Sequence, residues 1–167
     1  MSLGWYGQAV RVLIADADQS FRELLKRLLG KAVEVVGEAG SAEEAVELAA
    51  QTPPDVVLMD IANSDSQPAG IAAIWKVKAA RPDVKVIALT SHEDEAYLAS
   101  TGKSGADAML AKKDVRAEIL SLVRTVMDAN WRLWDGLERR GQILGDRLAW
   151  NGNERRLRYV WNRRLHR

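Results

Sequence analysis

The chain has 167 residues, enough for one ordinary domain plus an extra element, and 47% hydrophobic with 28% charged residues is the balance of a globular protein. With no cysteine and only two histidines, His92 and His166, the composition excludes a disulfide frame, a thiolate metal site and a thiol nucleophile, and argues against an imidazole zinc site. The formal net charge of +1 conceals an asymmetry: residues 129–167 carry ten Arg against four acids, and the remainder carries fourteen basic against nineteen acidic residues. Four of the six Trp fall in that basic tail, so the composition breaks near Ala129. No apolar run approaches the about 18 residues of a membrane span, and residues 1–10 lack the basic flank and apolar core of a signal peptide. A cytoplasmic protein with no membrane partner is expected.

In chain order, five short apolar runs occupy residues 10–15, 33–36, 56–59, 84–89 and 108–111. They are too short for helices, mostly rich in β-branched residues, and apolar on successive positions, which is how a strand covered on both faces reads. Between the first two, Phe21, Leu24, Leu25, Leu28 and Leu29 form one helical stripe, with Ser20 and Glu23 as a capping box and Gly30 as the stop. Asp18 offers a second N-cap for the same helix. Ser41 and Glu44 repeat the box before Ala45, Val46, Leu48 and Ala49, and Pro53-Pro54 ends that helix. Ile71, Ile74 and Val77 mark a third helix ending before Pro82, a fourth lies over residues 93–100, and Val115, Ile119, Leu122, Val123 and Val126 mark a fifth.

Strand starts are 23, 23, 28 and 24 residues apart, each interval fitting one strand, one crossover helix and two loops. Repeated right-handed βαβ units predict an α/β fold, a five-stranded doubly wound parallel sheet. An all-helical reading would force the valine runs into helices against their propensity.

Ligands of such a sheet bind beyond the carboxyl ends of its strands. Those ends carry Asp16 and Asp18, then Asp60, then Thr90-Ser91, then Lys112-Lys113. Carboxylates, a hydroxyl and an ammonium suit a hard divalent cation together with a phosphoryl group, and a carboxylate beside that cation can itself be the nucleophile. Singly, each residue has an ordinary explanation: a strand-end Asp caps a helix or a turn, and a Lys is a solvated charge. Their coincidence at four strand ends is the signal.

Four segments carry a resemblance: Val10-Arg-Val-Leu-Ile-Ala-Asp16, Pro54-Asp-Val-Val-Leu-Met-Asp60, Ala88-Leu-Thr90-Ser and Gly105-Ala-Asp-Ala-Met-Leu-Ala-Lys112. Over residues 8–128 the chain resembles the receiver (CheY-like) domains of bacterial two-component response regulators. Phe21-Arg22 and the Lys112-Lys113 pair without a following proline are closest to the branch with LuxR-type helix-turn-helix outputs. The resemblance implies the flavodoxin-like receiver fold and a phosphorelay role. Asp60 would accept a phosphoryl group from a histidine kinase, a phosphotransfer protein or a small phosphodonor. It also implies Mg²⁺ on Asp16, Asp60 and the backbone carbonyl of Ala62, Lys112 and Thr90 on the phosphoryl group, and a switch position at Met109. Such a domain is a signalling module, not an enzyme beyond self-catalysed phosphotransfer.

Three departures stand beside the resemblance. Ala17 occupies the place of the second acid, so a metal ligand is lost and a weakened Mg²⁺ site is expected. The polar loop from Ile61 to Gly70 is about two residues longer than the family's Met-Pro turn, with Asp65 in it as a substitute ligand or a solvated turn residue. Met109 replaces an aromatic ring by a flexible thioether. The rival reading is a pseudo-receiver, a phosphorylation-independent binding or dimerisation module. A flavodoxin-like cofactor enzyme is disfavoured because no Ser/Thr/Gly-rich phosphate loop follows the first strand.

Residues 129–167 form a separate basic Trp/Arg-rich extension. The spacing of Trp131, Trp134 and Leu137 fits a continuation of the fifth helix, which would offer either a face against the receiver or a homodimer seam. Beyond them, Leu157, Val160, Trp161 and Leu165 fit a helix, whereas Leu157, Tyr159 and Trp161 fit a hairpin turning at Asn151-Gly152. Arg interleaved with aromatics suits nucleic-acid contact, but the tail is too short for the helix-turn-helix output of that branch.

Overall fold

The computed structural model describes residues 9–61, 69–91 and 104–127. Its elements are β1 (Val10–Ala15), α1 (Gln19–Leu29), β2 (Val33–Ala39), α2 (Ala42–Gln51), β3 (Val56–Asp60), α3 (Ala69–Ala80), β4 (Lys85–Thr90), β5 (Ala108–Ala111) and α4 (Val115–Met127). Three-residue 3₁₀ turns precede β2 and α4, over Gly30–Ala32 and Lys112–Asp114. The helix expected at 93–100 and the tail from residue 128, with its alternative helix and hairpin, lie outside the described residues.

The strands form one parallel sheet in the order β2-β1-β3-β4-β5. Successive residues of each strand point to opposite faces, and both faces are covered, which explains the unbroken apolar runs. Leu13, Val57, Met59, Val86 and Ala88 face Ala45, Ala49, Ala73, Ile74 and Val77 of α2 and α3. Val12, Ile14, Val56, Leu58, Ile87 and Leu89 face Leu25, Leu29, Ile119, Val123 and Val126 of α1 and α4. Strand order reverses between β1 and β3, which opens the crevice where such sheets bind ligands.

Two local expectations are corrected. The first helix is capped by Asp18, whose carboxylate accepts from the N–H groups of Ser20 (2.8 Å) and Phe21 (3.3 Å). Ser20 therefore lies inside the helix, and no capping box operates there. The second strand runs three residues past its apolar run, through Gly37 and Glu38 to Ala39, after a register shift opposite Val12/Leu13. In this edge strand Gly37 and Glu38 are half-exposed, so polar residues cost it little there, and Ala39 returns to the core. The second helix starts as its motif predicts: Ser41 accepts from Glu44 N–H at 3.1 Å, and Glu44 reaches back to Gly40 N–H at 2.7 Å.

Candidate functional site

At the carboxyl edge, parallel register places the ends of β1, β3, β4 and β5 side by side. Asp60 ends β3 opposite Leu89 of β4, Thr90 ends β4 opposite Ala111 of β5, and Met59 lies opposite Ala15 of β1. Asp16 follows β1 and is almost wholly buried, at 4% exposure. Its N–H donates to Ala39 O at 3.0 Å, its Oδ1 accepts from Asp18 N–H at 2.8 Å, and its carbonyl accepts from Arg22 Nη1 at 2.7 Å.

Lys112, one residue past β5, sends its ammonium between the two carboxylates. Nζ lies 2.7 Å from Asp16 Oδ2 and 3.2 Å from Asp60 Oδ1. Its chain position is 96 residues from Asp16, so this contact exists only through the fold. On another side, the Phe21 ring centroid lies 4.6 Å from Nζ, within cation–π range. Two carboxylates and one ammonium leave a local charge of minus one in a half-buried notch, where the ion pair is screened less than on an open surface.

Gly70, at the start of α3, is a residue that pattern reading passed over. A Cβ there would lie 2.3 Å from Asp60 O and 2.8 Å from Ile61 Cα. The helix thus starts directly against the backbone of the strand end that presents Asp60, and glycine alone permits that approach. Its sequence signal was a lone glycine closing a polar loop before an apolar stretch.

The structure therefore brings Asp16, Asp60 and Lys112 together and buries Thr90 completely at the neighbouring strand end. Asp18 is held in its capping role, Ala17 is exposed and has no side-chain oxygen, and Met109 is packed in the core on the α2/α3 face. Ala62 and Asp65 lie outside the described residues. Asp16 and Asp60 supply carboxylate oxygens, the donor type that suits Mg²⁺. Among the described residues no group of three or more acidic or histidine side chains gathers around one point.

The family model of the response regulator receiver domain matches residues 12–124. This chain belongs to that family. It is 36% identical over 119 residues to the transcriptional regulatory protein DegU of Brevibacillus brevis, covering 70% of this chain and 50% of that protein. Among solved structures, the signal receiver domain of the response regulator NarL from Mycobacterium tuberculosis is similar at 31% identity and a TM-score of 0.62. That match covers 68% of this chain and 92% of the other. A LuxR-family two-component response regulator from Aurantimonas sp. SI85-9A1 is similar at 25% identity and a TM-score of 0.65, covering 80% and 99%. The chain spans about half the length of the curated relatives it matches. The receiver fold and the branch expected from Phe21-Arg22 are both borne out, and response regulators are signalling proteins. Among the described residues no helix is long and apolar enough to cross a membrane.

Proposed function

We propose that Asp60 is the phosphoacceptor of this receiver. A carboxylate oxygen of Asp60 attacks phosphorus of a kinase or phosphotransfer-protein phosphohistidine, or of a small phosphodonor. The P–N or P–O bond to the leaving group breaks as the acyl phosphate forms. The observation that carries this reading is the Lys112 ammonium held at 3.2 Å from Asp60 and 2.7 Å from Asp16. A fixed cation there stabilises negative charge as the phosphoryl group arrives, and it costs no reorganisation during the reaction. Thr90, buried at the next strand end, is the hydroxyl assigned to a phosphoryl oxygen, and Met109 the side chain that repacks behind it.

Receiver domains bind Mg²⁺. In this chain Asp16, Asp60 and the carbonyl of Ala62 would hold it, and bound Mg²⁺ would offset repulsion between the Asp60 carboxylate and the incoming phosphoryl group. Ala17 leaves the site a carboxylate short, and Asp18 is committed to capping α1, so the metal binds weakly. The receiver occupies residues 8–128 and works in the cytoplasm. Residues 129–167 are a basic extension for a partner: a second copy of the chain, or nucleic acid.

Intact-mass measurement after incubation with acetyl phosphate and Mg²⁺ tests the reading. The wild type should gain one phosphoryl group and Asp60→Ala none. No gain in the wild type, even at saturating Mg²⁺, would overturn it in favour of a phosphorylation-independent module. Restoring the acid with Ala17→Asp should tighten Mg²⁺ binding by at least about tenfold in a calorimetric titration, because one charged oxygen ligand is added.

A further inference from the structure

Two side chains at the start of α1 reach the carboxyl edge laterally, and neither is part of the phosphoacceptor set. Phe21 is half-buried against the α1/α4 core, so its ring is a fixed platform. Lys112 carries its charge on a flexible four-carbon stem, and its ion pairs to Asp16 and Asp60 hold the ammonium from the carboxylate side only. The ring face 4.6 Å from Nζ closes one side of the space open to the ammonium, opposing that motion. Arg22 forks: Nη1 donates to the Asp16 carbonyl at 2.7 Å, and the longer Nε contact to Glu38 Oε1 at 3.3 Å is a half-exposed ion pair beside it, so the grip on the end of β1 is the Asp16 bond. With Ala17 in place of a second acid, Asp16 is the sole carboxylate available at that strand end, and its placement has no backup.

We propose that Phe21 and Arg22 are positioning residues for the Lys112–Asp16–Asp60 cluster. Phe21 holds the ammonium, and Arg22 holds the peptide from which the Asp16 carboxylate projects. The proposal rests on reading Asp60 as the phosphoacceptor only for its kinetic consequence.

The test uses the full chain and two readouts. Phosphoryl uptake from acetyl phosphate, followed by intact mass over a range of donor concentrations, gives a maximal rate and a half-saturating concentration. The ¹⁵N signal of the Lys112 ammonium reports how firmly that group is held. Phe21→Leu and Arg22→Lys should each lower the maximal rate about three- to tenfold with the half-saturating concentration unchanged. Phe21→Leu should also accelerate exchange of the Lys112 ammonium protons with water. Phe21→Tyr, which keeps the aromatic face, should recover both quantities, and Glu38→Gln should leave the maximal rate unaltered. An unchanged rate and an unchanged Lys112 signal in Phe21→Leu would overturn the role of Phe21. A loss in Arg22→Lys that Glu38→Gln reproduces would reduce Arg22 to a surface ion pair and overturn its role. If the wild type takes up no phosphoryl group while the Lys112 signal responds as stated, the phosphoacceptor reading fails and the positioning of Lys112 stands.

Discussion

At the scale of single residues, the site depends on one approach that admits no side chain. A methyl group at Gly70 would overlap the carbonyl oxygen of Asp60, so either α3 must retreat or the end of β3 must shift. Gly70→Ala should therefore destabilise the fold by about 1–3 kcal/mol in urea unfolding, the usual range for forced overpacking. The same substitution should slow phosphoryl uptake, because the displaced atoms belong to Asp60, the proposed phosphoacceptor. Gly30 differs in kind: its φ of +54° suits glycine, yet an added Cβ would meet nothing within 4 Å, so conformation and not crowding selects it. Asp18 shows that a carboxylate beside a reactive site need not serve it, since its accepted N–H bonds make it a cap.

At the scale of elements, carboxylates do different work at the two edges of the sheet. On the amino edge, Asp55 accepts Arg11 N–H at 2.8 Å and Asp107 accepts Val86 N–H at 2.8 Å, so each satisfies a strand-start donor. Asp107 also holds Lys78 of α3 at 2.9 Å, and Lys78 donates in turn to Val84 O at 2.8 Å. Asp107→Ala would strand a buried N–H and a largely enclosed ammonium. It should cost about 2–4 kcal/mol, measured by denaturant unfolding at neutral pH. Between α1 and β2, the Lys26 ammonium holds the Glu38 carboxyl below its ordinary range, with Arg22 adding to the effect and partial burial opposing it. A lowered native pKa means that the unfolded chain binds the proton more tightly. The pair's contribution is therefore present at neutral pH and is lost as the pH falls through the depressed native value. A third of the Glu38 side chain is exposed, so that contribution stays below about 1 kcal/mol. Glu38→Gln should flatten the acid limb of the stability–pH curve by that amount. Lys26 is shifted the opposite way, raised by hydrogen bonds to Glu23 and Glu38, and its contribution disappears only as the solution becomes strongly alkaline.

At the scale of the whole molecule, both faces of the sheet are covered by helices drawn from residues 19–127, with α2 and α3 on one side and α1 and α4 on the other. A chain ending at residue 128 should thus unfold cooperatively, retain the melting temperature of the full chain within about 3 °C, and still take up a phosphoryl group at Asp60. Thermal scans and intact mass on the two chains check this; a fall larger than that range would place the basic extension in the core.

Much of this was legible along the chain. Five apolar runs at near-constant spacing determined strand number and parallel topology, because a strand buried on both faces must be apolar at consecutive positions. The placement of Asp16, Asp60, Thr90 and Lys112 at one edge followed, because parallel strands deliver all their carboxyl ends to the same side. The end of β2 was not legible, since an edge strand tolerates Gly37 and Glu38 without the apolar mark that identifies a buried one. Nor was the choice of Asp18 over Ser20 as cap, because both offer an oxygen and only the backbone angle at Asp18 (ψ 107°) selects between them. The partners of Lys112, the ring of Phe21 beside it, the fork of Arg22 and the collision awaiting a side chain at Gly70 were decided by tertiary structure alone. These contacts join residues between six and 96 positions apart at distances of a few ångströms, and local propensity and periodicity carry no information on such distances.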